Sequence, residues 1–201
     1  MAIELKKGNK INLTKKTNVA LGEITVNLNW RQGGAKKGFL AKLFGGGGGI
    51  DLDLGCLYEM KDGRKGVVQA LGKAFGDYAN FPYVALDGDD RTGEAAGGEN
   101  LRINGARVAQ FKRLLIFAFI YEGAADWREA DGVVTLKYPG QEDLVARLDE
   151  YGSTQPMCAM ALLENRDDET FSVEKIVRFF DGHQFMDTAF NWGMRWTAGR
   201  K

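Results

Sequence analysis

The chain has 201 residues, 44% of them hydrophobic, and its 27 basic side chains balance 27 acidic ones. That length suffices for one sizeable domain whose core needs no disulfide or metal staple. The charge balance gives no electrostatic footprint for nucleic acid. The N-terminal MAIELKKGNKINL lacks the apolar stretch of a secretory signal. The longest apolar run, Leu114 to Tyr121, falls far short of the roughly 20 residues that span a bilayer, so no transmembrane segment and a cytoplasmic location are expected. Cys56 and Cys158 are far apart without CxxC spacing and read as buried thiols of a reducing compartment.

In chain order, Ile3 to Leu5 and Lys10 to Leu13 flank KGN and read as a hairpin. Ile24 to Trp30 alternates, with Ile24, Val26, Leu28 and Trp30 on one face and Thr25, Asn27 and Asn29 on the other. Residues 31–49 contain five consecutive glycines, which no regular element holds at low entropic cost, and predict a flexible surface insertion. They do not form a phosphate-binding loop, since the G-x-x-x-x-G-K-[ST] pattern is absent.

Further strands are expected at Ile50 to Met60, Val67 to Leu71, Tyr83 to Leu86, Leu114 to Tyr121, Val133 to Tyr138, Leu144 to Leu148, Met157 to Leu163 and Phe171 to Phe180. Leu114 to Tyr121, LLIFAFIY, is apolar on both faces and reads as a central strand. Helical pattern is confined to a turn or two at Ala106 to Lys112 and to His183 to Trp192 near the C-terminus. Many short strands with glycine-rich turns predict an all-β fold, an antiparallel sandwich of two sheets with a few short helices. No internal repeat or linker divides residues 1–201, which are read as a single domain.

Two acidic segments stand out. In IDLDLGC, Asp51 and Asp53 are two apart on a strand and share one face, a costly arrangement unless a cation or hydrogen-bond donors offset it. LDGDDRTGEAAGGENL, residues 86–101, carries Asp87, Asp89, Asp90, Glu94 and Glu99 against a single early arginine, Arg91. Glycines there let the backbone turn tightly. Hard oxygen donors on a flexible loop suit calcium, whereas zinc or copper would want His or Cys, and the sole histidine is His183. The loop is not an EF-hand, because counting from Asp87 puts Arg91 and Thr92 at the fifth and sixth places. Solvated surface turns are the alternative reading of the same acids.

IDLDLGCLYEM followed by DGDDRTGE resembles the TerD family of bacterial tellurium-resistance and stress-response proteins, in which a D-L-D strand precedes a G-D-N-x-T-G-E loop. LKKGNKINL resembles that family's opening hairpin, and FDGHQFMDTAFNWGMRWTAGRK is similar to the ending of its TerA-like branch. The resemblance implies a β-sandwich that binds calcium at one end. Carried over by position, it implies ligands at Asp51 and Asp53 on the strand and at Asp89, Asp90, Thr92 and Glu94 in the loop. Where the family continues G-D-G-D-D-E, this chain has Ala95 to Asn100, so two aspartates become Ala96 and Gly98, and Glu99 and Asn100 are partial substitutes, Glu99 as a further metal ligand. Fewer charged ligands should weaken affinity.

The function implied is non-enzymatic: calcium orders the acidic loop, which then presents a surface to other proteins of a stress or tellurium-resistance complex. Tellurite itself is an oxyanion, and an acidic site repels it. A metal-dependent hydrolase is the alternative, with Asp51, Asp53, Asp89 and Asp90 on the metal and His183 as base. A third reading is a carbohydrate-binding module using surface tryptophans, against which the lack of a signal peptide counts. His183 with Asp181 and Asp187 nearby, and Trp192 and Trp196 with Phe185 and Phe190, are expected to serve structure and packing.

Overall fold

The structure is a computed structural model that describes residues 3–4, 8, 10–13, 21–30, 50–88, 97–123, 126–139, 142–148 and 152–199. The glycine-rich insertion expected at 31–49 lies outside them. Two sheets pack face to face. The seven-stranded sheet runs β1 (Ile3–Glu4), β11 (Leu144–Arg147), β10 (Val133–Lys137), β3 (Glu23–Asn29), β8 (Glu99–Asn104), β7 (Val84–Leu86), β6 (Gly76–Asp77). The six-stranded sheet runs β2 (Lys10–Asn12), β13 (Thr170–Phe180), β12 (Met157–Arg166), β9 (Phe111–Glu122), β4 (Asp51–Met60), β5 (Lys65–Gln69). Every pairing is antiparallel except β1 with β11. The fold is the expected all-β sandwich.

The predicted hairpin at KGN does not form. Ile3 pairs with Leu144 in one sheet, while Ile11 pairs with Val173 in the other. Between them in sequence, Gly8 at φ 78° donates its N–H to Lys175 O at 2.9 Å. A two-stranded ribbon this short is marginal alone, and each strand gains more by extending an existing sheet edge.

Alternation governs the core. On β3, Ile24, Val26 and Leu28 are buried and Thr25 and Asn27 half-buried. The central strand β9 is buried on both faces, as its sequence predicts. Leu114, Ile116 and Ala118 enter the core between the sheets. Leu115, Phe117 and Phe119 enter a second cluster on the outside of the six-stranded sheet. That second cluster exists because the C-terminal segment covers it. Helices α1 (Trp127–Ala130) and α2 (His183–Ala189) are both short. From α2, Met186 and then Trp192 bury against Leu57, Leu115, Phe117 and Phe180. The expected turns at Ala106 to Lys112 are a 3-10 helix over Gly105–Gln110.

Two buried carboxylates secure this segment. Asp187 Oδ1 accepts from Gly193 N at 2.8 Å, and its Oδ2 accepts from Met194 N at 3.0 Å and Trp196 Nε1 at 3.1 Å. Glu59 accepts from Lys112 Nζ at 2.8 Å and Arg113 Nε at 2.5 Å. Arg113 also donates to the carbonyls of Phe190 and Asn191 and lies 3.9 Å from the Trp192 ring centre.

Candidate functional site

Strand β4 is buried along its whole length despite its two aspartates. Leu52 and Leu54 point into the inter-sheet core. Asp51 and Asp53 are therefore on the opposite side, sharing a face as the DLD spacing predicts. They are 4% and 0% exposed. Register places Asp53 in a row with Phe119, Met157 and Phe180 across the outer face, and Asp51 opposite Glu122. The predicted pair is thus an interior one, and burial of this kind raises the cost of two like charges.

Among the described strands, β5 pairs with β4 from Gly55 to Glu59 only. Glu99 approaches β4 beyond that stretch. It is 2% exposed, and its Oε2 accepts the Leu54 N–H at 2.7 Å. Glu99 comes from the opposite sheet, as the first residue of β8, where it pairs with Leu28. The sequence reading placed it in the acidic loop. The alternation of ENLRIN, with Leu101 and Ile103 buried, was the signal for a strand that this reading did not use.

The loop is a connection between neighbouring strands, with Leu86 opposite Leu101 and Asp87 N donating to Asn100 O at 2.9 Å. Asp87 itself is engaged at the neck, accepting from Arg102 Nε at 2.6 Å. At the far side, Asn27 Nδ2 donates to Gly97 O at 2.5 Å and Asn100 Oδ1 at 2.9 Å. Gly98 has φ +61°, and a Cβ there would overlap the Leu28 carbonyl oxygen. An aspartate cannot occupy that backbone position without moving β3.

Asp89, Asp90, Thr92 and Glu94 lie outside the described residues. Among the described residues, no group of three His, Cys, Asp or Glu side chains is close enough to hold one metal ion. The structure thus brings Asp51 and Asp53 together on one face and sets Glu99 at the adjoining edge. All three offer only carboxylate oxygen, a donor set that fits a hard cation.

His183 is the first residue of α2. Burial pushes its pKa down to about 4, Nε2 meets Gln69 Oε1 at 2.8 Å, and its ring contacts those of Phe117, Phe119 and Trp196. This is the structural role expected of it. It is not poised near neutral pH, as the base of the hydrolase alternative would need to be. Trp30, Trp127 and Trp192 are buried and Trp196 is half-buried, so the tryptophans pack. Cys56 and Cys158 are buried as expected, and burial pushes the Cys56 thiol up, away from reactivity.

This geometry meets its relatives in sequence comparison. Residues 1–137 match the TerD domain. The chain belongs to the TerD domain family. It is 49% identical over 191 residues to a tellurium resistance protein TerA of Alcaligenes sp., covering 95% of this chain and 56% of that protein. It is 34% identical over 110 residues to the stress response protein SCP2 of Bacillus subtilis (strain 168), covering 49% of each. The chain thus spans about half the length of these curated relatives. Neither is named for a catalysed reaction. Among solved structures, a homologue of telluride resistance protein (TerD) from Streptomyces coelicolor A3(2) superposes with TM-score 0.59 at 17% identity, over 83% of this chain and 95% of that one. A second, described as a protein of unknown function, gives 0.58 at 13% identity over 82% and 92%. At such identities the likeness establishes the shared TerD-like sandwich and nothing further. Among the described residues no helix is long and apolar enough to cross a membrane.

Proposed function

We propose that this chain is a non-enzymatic, calcium-binding member of a bacterial stress-response or tellurium-resistance system, acting through an acidic loop that a cation orders. The observation that carries the reading is the burial of Asp51 and Asp53 side by side on β4, with Glu99 buried at the adjoining edge. Carboxylates gathered at one strand end offer the hard oxygen donors that calcium takes. In this reading calcium is held by Asp51 and Asp53 and by Asp89, Asp90, Thr92 and Glu94 of the loop. Glu99 adds negative charge from the edge while fixing the Leu54 amide.

Ion binding would close the loop onto β4, since the loop's ends are already anchored by Asp87 and Asn27. The free energy of ligand binding shifts the loop toward one conformation, and that conformation is the surface offered to partner proteins. The relatives' names, tellurium resistance and stress response, support the biological setting. An acidic site of this kind does not capture an oxyanion, so resistance would run through protein partners.

Calorimetric titration of EDTA-stripped protein with calcium tests the reading, together with Asp53→Asn and the double variant Asp89→Asn, Asp90→Asn. Saturable binding to the parent and its loss in both variants is expected. Unchanged binding in either variant places the ion elsewhere and refutes this site.

A further inference from the structure

Where α2 leaves the end of β13, two open grooves flank the ring of Phe185. Phe185 is 63% exposed, the most of any large apolar side chain among the described residues. The first groove, about 360 Å³, is lined by Leu71, Asp181, His183, Phe185 and Trp196 and by residues 197–199. Its size falls in the range of clefts that take a small ligand or a side chain. Asp181 is the only Asp, Glu, Lys or Arg in that lining, and it forms no ion pair with a described residue. His183 adds no positive charge at neutral pH, since burial keeps it neutral down to about 4.

The second groove, about 580 Å³, shares Asp181 and Phe185 with the first and is also lined by Arg178, whose guanidinium lies 4.9 Å from the Phe180 ring centre. There a cation already rests on an aromatic face. Among its described lining residues the first groove offers aromatic rings and that carboxylate, with no lysine or arginine. We propose that it is a docking site for a cationic side chain, arginine or lysine, of a protein partner. A guanidinium or ammonium group is attracted to the faces of Phe185 and Trp196 and pairs with the Asp181 carboxylate. The groove shares no residue with the acidic site, so this inference and the calcium reading fail separately.

The test is an amide NMR titration at physiological ionic strength with three capped tripeptides, each a central residue between glycines: arginine, norleucine or glutamate. The arginine peptide should shift the amides of residues 182–185 and 197–199 and the Trp196 indole saturably, and the other two should not. Asp181→Asn and Phe185→Ala are surface changes that leave folding intact, and each should weaken the response about two- to five-fold. An equal response to norleucine would overturn the proposal. So would a response that survives both substitutions, or one confined to the acidic segment 87–99.

Discussion

Asp53, Gly98, His183 and Asp187 show what single positions contribute. The burial of Asp53 could not be read from DLD alone, because strand acids commonly face water. At Gly98 a positive φ against the Leu28 carbonyl leaves no room for a Cβ. His183 yields a signed pH dependence. Its folded pKa, about 4, lies below the ordinary 6.5, so the unfolded chain binds the proton more readily between those values. Its stabilising contribution is complete above pH 6.5 and declines as pH falls toward 4, by about 2–3 kcal/mol in all. Urea midpoints should therefore fall between pH 7 and pH 5, and His183→Gln should flatten that difference; an equally steep fall in the variant would locate the titrating group elsewhere. Asp187→Asn keeps the shape but sets an amide N–H₂ against donors now received by carboxylate oxygens. Equilibrium unfolding should show a loss of about 1–3 kcal/mol. A loss below a few tenths would mean the three hydrogen bonds contribute little.

At the scale of elements, strands with clean alternation or continuous apolar runs were legible: β3, β4 and β9 stand where their patterns put them. The failures share a physical cause. β1 and β2 looked like a hairpin because they are adjacent in sequence, but each joins a different sheet edge through long-range pairing that no local pattern encodes. β8 was hidden behind the charge of the loop it closes. α1 is a four-residue helix capped by Asp126, whose side chain accepts from Arg128 N, a cue too short to weigh against the surrounding strands. Close packing between strands adds a constraint the sequence shows only as a glycine. The Phe117 ring lies over Gly55, its direct partner across β4 and β9, and a Cβ at Gly55 would overlap it. Gly55→Ala should cost about 1–3 kcal/mol in a chemical melt through overpacking. A neutral substitution would show that the ring moves aside freely.

For the molecule as a whole, the asymmetry between the two outer faces is the main point. The seven-stranded sheet leaves Thr25, Asn27, Arg102 and Thr135 half-buried on its outer side. The six-stranded sheet is sealed by α2 and the residues after it, and Trp192 is the largest side chain in that seal. These residues lie beyond the 1–137 stretch matched by the family, yet they pack in one cluster with Phe119, Met157 and Phe180 of the outer face. Trp192→Ala should therefore destabilise the whole sandwich by about 3–5 kcal/mol, read as one cooperative transition by calorimetry. A separate low-temperature transition would make the C-terminal segment an independent unit. The family and the sandwich were recognisable from the acidic segments and strand pattern. The groove beside Phe185 was not, since Asp181, Phe185 and Trp196 converge only after α2 docks.

The most direct measurement is thermal unfolding of EDTA-stripped protein titrated with calcium and, separately, with magnesium. An ion that binds the folded state stabilises it by RT ln(1 + [L]/Kd), about 2.7 kcal/mol at one hundred times Kd. A calcium-selective rise in Tm that disappears in Asp53→Asn is the predicted result. A Tm that stays level through millimolar calcium, or a rise that Asp53→Asn leaves intact, would contradict a calcium site at the buried aspartate pair.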